Sequence, residues 1–208
     1  MEMARNPPLH IQESLRGLPP ISSLRSPFSD THIEFEILAP FSRLAPDRHL
    51  YTAKRTGGDH EEKIIVKFTR RYSHELHMFC AKQGRAPALL GFEKLPEGFF
   101  GITMELVQPV SPHDRKRGEL GKQLKTLVAS FHDRDLVHGD LRVPNIVCND
   151  QGVLIIDFDW GGKLGEASYP NSQLNPQLTI GRHSTDLKIT KDDDIRVLNK
   201  TLEYLGWE

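Results

Sequence analysis

From His32 to Leu38 polar and apolar residues alternate, the period-two pattern of a strand with one buried face. A weaker alternation covers His49–Arg55, and Lys63–Phe68 follows as a third strand after the turn residues Thr56-Gly57-Gly58-Asp59. Short connections of this kind predict an antiparallel meander. Helical spacing then runs from Arg71 to Lys82 and is stopped by Gly84 and Pro87. Leu89–Glu93 and Phe99–Glu105 predict two more strands around Pro96-Glu97-Gly98. Beyond them, apolar residues at 120, 124, 127, 128 and 131 predict a helix over Glu119–His132. A hairpin of Ile146–Cys148 and Val153–Ile156, a loop-like stretch over Gly161–Gly181 and a final helix over Asp192–Leu205 complete the pattern. Residues 1–30, with Pro7, Pro8, Pro19, Pro20 and Pro27, show no sustained period and read as an extended or poorly ordered leader.

Five strands with one helix therefore precede a mostly helical half. This predicts an α+β fold in two lobes, an antiparallel five-stranded N-lobe over 31–107 and a shortened C-lobe over 108–208, with a hinge near Met104–Pro109. A chain of 208 residues is large enough for such a core. Its 27 basic and 28 acidic residues argue against a nucleic-acid or polyanion partner. Two cysteines, Cys80 and Cys148, exclude a disulfide framework and a zinc site of the usual Cys/His spacing, and read as buried thiols. The apolar run Val153–Ile156 is far short of the ~20 residues that span a bilayer. Glu2 and two Pro-Pro pairs do not resemble a secretory signal, whereas Arg5, Arg16 and Arg25 with several serines keep a transit peptide open. The expectation is a soluble cytoplasmic protein with no membrane partner.

Chemistry concentrates in Leu136-Val137-His138-Gly139-Asp140-Leu141-Arg142-Val143-Pro144-Asn145 and in Ile155-Ile156-Asp157-Phe158-Asp159-Trp160. Phosphoryl transfer asks a protein mainly for positioning and charge neutralisation. One carboxylate must orient a hydroxyl and take its proton. A second carboxylate and an amide oxygen must hold Mg²⁺, which prefers oxygen ligands, against nucleotide phosphates. A turn between two short strands brings Asn145 and Asp157 to one end of a hairpin. Upstream, Lys67 ends an apolar strand where it can reach phosphate oxygens, and Glu75 on the following helix can hold its ammonium.

These residues resemble the protein-kinase-like superfamily over about residues 32–205, and within it the compact kinase-like proteins abundant in mushroom-forming fungi. The catalytic-loop pattern falls on His138, Asp140 and Asn145, and the metal-binding Asp-Phe-Gly falls on Asp157-Phe158-Asp159. The resemblance implies ATP and Mg²⁺ as cofactors and Lys67 as the ATP-positioning lysine, with Glu75 as its partner. It also implies that Met104-Glu105-Leu106-Val107 meets adenine, with Glu105 and Val107 in the hinge, and that Asp194 braces the catalytic loop. The implied function is transfer of the ATP γ-phosphate to a hydroxyl of the serine/threonine protein-kinase type, with Asp140 as base and Lys67 and Arg142 beside it.

Departures from the pattern leave two rivals. His-Gly-Asp and Asp-Phe-Asp-Trp lean toward small-molecule kinases resembling aminoglycoside and choline kinases. The connection Phe41–Arg48 holds no glycine and the C-lobe is short, which suits an inactive pseudokinase acting as a binding module. Glycine in place of arginine at 139 implies no dependence on a phosphorylated activation loop. Three bland readings accompany these: Arg142 either holds a substrate phosphate or pairs with a nearby acid, His138 is a structural brace, and Asp192-Asp193-Asp194 is acid enriched at a helix N-terminus rather than a metal cluster.

Overall fold

The computed structural model describes residues 21–41, 49–57, 62–111, 117–170, 174–182 and 186–208. The described chain forms two compact units. The first comprises described residues of Met1–Arg70 with Ala88–Leu106, and the second Arg71–Pro87 with Val107–Glu208.

The first unit is a six-stranded antiparallel sheet: β1 (Ser23–Arg25), β2 (His32–Pro40), β3 (Leu50–Arg55), β4 (Glu62–Thr69), β5 (Leu89–Lys94) and β6 (Phe100–Glu105), in the order β1-β2-β3-β4-β6-β5. The alternation read in the sequence is the burial pattern of β2, where Ile33 and Phe35 enter the core between exposed His32, Glu34 and Glu36. Tyr51, Ala53, Ile64, Val66 and Phe68 complete that core.

The expected five strands become six because part of the leader is recruited: Ser23–Arg25 pairs with Glu34–His32. Leu24 is wholly buried, and the reason lies on the sheet's other edge. A Cβ on Gly101 would lie 2.6 Å from Leu24 Cδ2, and one on Gly91 would lie 3.3 Å from Leu24 Cβ. Two glycines in β5 and β6 thus leave the room that Leu24 fills, and the edge strands approach closely enough for Arg25 N–H to donate to Glu93 (3.2 Å).

The second unit holds α1 (His74–Lys82), α2 (Arg117–His132), α3 (Pro176–Thr179) and α4 (Lys191–Leu205), with the short strands β7 (Leu136–Val137), β8 (Ile146–Asn149), β9 (Gly152–Ile155) and β10 (Gly162–Lys163). The helix expected over Arg71–Lys82 begins later, capped by the Ser73 hydroxyl on Leu76 N–H. It belongs to this unit and not to the sheet, because Leu76 and Cys80 share a core with Leu124, Phe131, Phe158 and Val197. The stretch expected to be loop-like contains β10 and α3. Gly121 in α2 is required where the backbone of Trp207 crosses, since a Cβ would overlap the Trp207 carbonyl. Cys80 and Cys148 are both buried free thiols, and burial pushes both thiols up. Among the described residues no helix is long and apolar enough to cross a membrane.

Candidate functional site

The site in the second unit is built around a buried carboxylate. Asp194, in the first turn of α4, accepts from His138 N–H (2.8 Å) and from His132 Nε2 (3.0 Å) on Oδ2, and from Gly139 N–H (2.7 Å) on Oδ1. Its side chain is fully buried, so the two loop amides and the ring are its replacement for water. Gly139 adopts φ +82°, and a Cβ there would lie 2.6 Å from Ile189 Cδ1, so a larger residue would be strained and would have to displace that side chain. His138 Nδ1 accepts from Asp140 N–H (3.2 Å), which puts the ring proton on Nε2; that atom is buried with no hydrogen-bond partner among the described residues. The ring thus supports the loop through Nδ1 alone and is not a fully satisfied core histidine.

With the loop pinned from below, the Asp140 carboxylate is clamped from the side. Arg142 donates Nε to Oδ1 (2.5 Å) and Nη2 to Oδ2 (2.8 Å), a bidentate pair that fixes the plane of the carboxylate. Of the two readings open for Arg142, the structure gives the acid partner. The hydrogen bond to Asp140 holds the guanidinium above its ordinary range against the opposing effect of burial, and the charges of Asp140 and Asp157 add to it. Asp157 therefore shares the neighbourhood of the Asp140–Arg142 pair.

Asn145 joins these groups. Its Nδ2 donates to the Asp140 carbonyl (2.9 Å), its N–H to the Arg142 carbonyl (2.9 Å), and its own carbonyl accepts Ile156 N–H (3.0 Å). Antiparallel pairing of β8 with β9, Ile146 opposite Ile155, sets Asn145 and Ile156 side by side, one residue from Asp157. Asp157 itself adopts φ +67°, a left-handed conformation costing a non-glycine residue of order 1 kcal/mol.

Phe158 anchors that turn. It stacks on His77 of α1 (ring centroids 4.6 Å, planes 11° apart) and meets His138 edge-on at 5.4 Å. Its carbonyl accepts Ser73 N–H (2.9 Å). His77 is held at both nitrogens: Nε2 lies 2.8 Å from the Pro87 carbonyl, which can only accept, so Nδ1 receives the Tyr72 hydroxyl proton at 2.5 Å. Burial, with the charges of Asp159 and Asp157, pushes the Tyr72 hydroxyl well up. Tyr72 and His77 were not singled out in the sequence. The available signal was a tyrosine just before a helix and a histidine on that helix's apolar face, which gives no hint of their partners.

The remaining candidates are distributed as follows. Lys67 is buried on β4, opposite Leu50 and Ile102, and Glu105 ends β6 with its carboxylate accepting Ala88 N–H (3.1 Å); both lie in the first unit. Val107 begins the return of the chain to the second unit. Glu75 stands in the first turn of α1, largely exposed, with Lys163 Nζ at 3.9 Å. Asp140, Arg142, Asn145 and Asp157 are thus brought together within one unit. The acidic run divides as its helix position dictates: Asp193 closes a capping box with Thr190 while Asp194 braces the loop. Residues 42–48, most of the glycine-free connection, lie outside the described residues.

An oxygen-preferring ion fits what is present. Asp157 and Asn145 offer a carboxylate and an amide at adjacent positions, and among the described residues no cluster of three or more His, Cys, Asp or Glu could hold an ion unaided. That donor set suits Mg²⁺, which keeps waters and substrate phosphates in its octahedron, and does not suit a closed protein cage.

No protein-family model matches the chain. Over 87 residues, 42% of its length, it is 32% identical to a protein described as "Probable serine/threonine-protein kinase YbdM" of Bacillus subtilis (strain 168), and the match spans 28% of that protein's length. In structure it is similar to the Cydia pomonella Granulovirus kinase, PK-1, with a TM-score of 0.63 at 14% identity, covering 82% of this chain and 67% of that one. The fold is kinase-like, an α+β arrangement with a large antiparallel sheet, and the sequence carries a kinase relationship over part of its length.

Proposed function

We propose that the chain is an ATP- and Mg²⁺-dependent phosphotransferase of the protein-kinase type that phosphorylates a hydroxyl. The observation that carries this reading is the Asp140–Arg142 clamp on a loop pinned by Asp194, next to Asn145 and Asp157. Each Asp140 oxygen retains a lone pair beyond its bond to Arg142, so the carboxylate can orient an acceptor hydroxyl and take its proton. Asn145 and Asp157 would hold Mg²⁺ together with phosphate oxygens. Lys67 would steady the α- and β-phosphates with Glu75 as its counter-charge, and Glu105 and Val107 would lie along the adenine. Bound Mg·ATP would supply the phosphoryl group and neutralise the charge that develops on it. Arg142, balanced by Asp140 and within the field of Asp157, keeps the pair of acids from repelling the transferred group. The acceptor class we favour is a polypeptide serine or threonine.

The test is thermal unfolding with and without Mg·ATP. At 100 times the dissociation constant, binding adds about 2.7 kcal/mol, which for a chain of this size is about 5–10 °C. The shift should need Mg²⁺ and vanish in Asp157→Ala, and transfer to protein acceptors should be lost in Asp140→Asn. Absence of any shift at millimolar Mg·ATP would leave a kinase-shaped binding module.

A further inference from the structure

Beside the catalytic loop, in the same unit, lies a cavity of about 190 Å³. Its walls are Arg142, the α3 residues Gln177 and the following Ile180, and Lys200, Thr201 and Tyr204 of α4. It is registered to the loop by a buried bond, Thr201 Oγ1 donating to the Leu141 carbonyl (2.8 Å), one residue from Asp140. This volume accommodates a single side chain.

Charge distinguishes this cavity. Two cations line it and no carboxylate does. Lys200 donates once, to the Ile180 carbonyl (2.8 Å), and pairs with no carboxylate among the described residues. Arg142 uses Nε and Nη2 on Asp140, and its Nη1 has no protein partner among the described residues. Of the acids on α4, Asp193 is already occupied by Arg182, Arg196 and Thr190, all between 2.8 and 3.1 Å, and Glu203, three residues from Lys200, forms no ion pair with it among the described residues. Ile180 and Tyr204, 60% and 79% exposed, extend an apolar and aromatic rim outward from the cavity mouth. A free inorganic ion would use the cations and leave that rim bare; an extended chain would use both.

We infer that the cavity recognises an acidic side chain of a polypeptide acceptor, seating an Asp or Glu carboxylate against Lys200 and Arg142 Nη1 while Ile180 and Tyr204 cover the flanking residues. The inference rests on the phosphotransferase reading and gives its acceptor a chemistry: a hydroxyl residue with acid nearby.

The experiment is titration of the full chain with two alanine-for-serine peptides of equal length, one glutamate-rich and one lysine-rich, followed by calorimetry. The glutamate-rich peptide should bind, more weakly as salt rises from roughly 50 to 300 mM. Lys200→Glu should weaken it about tenfold, Tyr204→Ala less, and Lys200→Arg little. Lys200→Glu should leave the Mg·ATP unfolding shift intact, since neither its charge nor its contacts belong to the Asn145–Asp157 end. Equal binding of both peptides, indifference to Lys200→Glu, or a response to inorganic phosphate alone would overturn the inference. Acidic-peptide binding by a wild type that shows no Mg·ATP shift would instead overturn the phosphotransferase reading and retain the peptide site.

Discussion

Gly139 has to satisfy two demands at once, a left-handed backbone at φ +82° and a side-chain-free approach to Ile189. Gly139→Ala is expected to cost about 2–4 kcal/mol, combining left-handed strain with overpacking. Urea denaturation with an unchanged slope would read it, and a loss under about 1 kcal/mol would show that the loop relaxes at no expense. The resemblance to kinases explained this glycine by what it lacks, an arginine for a phosphorylated loop, whereas the structure explains it by the space beside it. The same distinction applies at Arg142. Spacing placed it two residues from Asp140, yet only the loop's curvature turns the Nε–Nη2 edge of the guanidinium onto the carboxylate. Asp140, Asn145 and Asp157 could be singled out together because the pattern they resemble fixes their spacing. His77 and Tyr72 were not, because a brace is recognised by what it touches.

Helix α4 ties several of these residues together, and its own N-terminus is where its hold can be tested. Burial pushes the Asp193 carboxyl up, but hydrogen bonds from Thr190, Arg196 and Arg182 outweigh it and hold the group below its ordinary value. A carboxyl lower in the folded than in the unfolded chain stabilises the fold above the unfolded value, near ~3.9, and loses that contribution as pH falls through the folded value. Stability should therefore drop in acid below about pH 4, and Asp193→Asn should flatten the drop in melting scans taken from about pH 6 downward. Thr190→Ala, which removes the cap at every pH, should cost about 1 kcal/mol. Long elements such as α4, α2 and β2 were readable because a period needs several residues to declare itself. β1, β7 and β10 span two or three residues, and α3 one turn, so position in the fold decides them. β1 in particular is dictated by Gly91 and Gly101, some seventy residues downstream of Leu24.

The two units interleave along the chain, which crosses from the first to the second after Arg70, returns at Ala88 and crosses again after Leu106. A sequence reading that divides the molecule once, near 107, misses this, because helical period says nothing of which core a helix joins. Residues 107–208 taken alone would lack Leu76, Cys80 and Ala86 from a core they share with Leu124 and Phe131. The isolated fragment 107–208 should therefore unfold without a cooperative transition, whereas addition of residues 71–87 as a separate peptide should restore part of one; a sharp transition for the fragment alone would refute the shared core. The position of Asp194 carries a further consequence, in the order of synthesis. His138, Gly139 and Asp140 are made more than fifty residues before the carboxylate that shapes them. At about 5–20 residues per second the loop waits several seconds, already outside the ribosome when α4 is still to come. A nascent chain thus carries Asp140 and its neighbours in an unformed loop until α4 arrives, and the loop takes its shape only when a segment more than fifty residues downstream has been made.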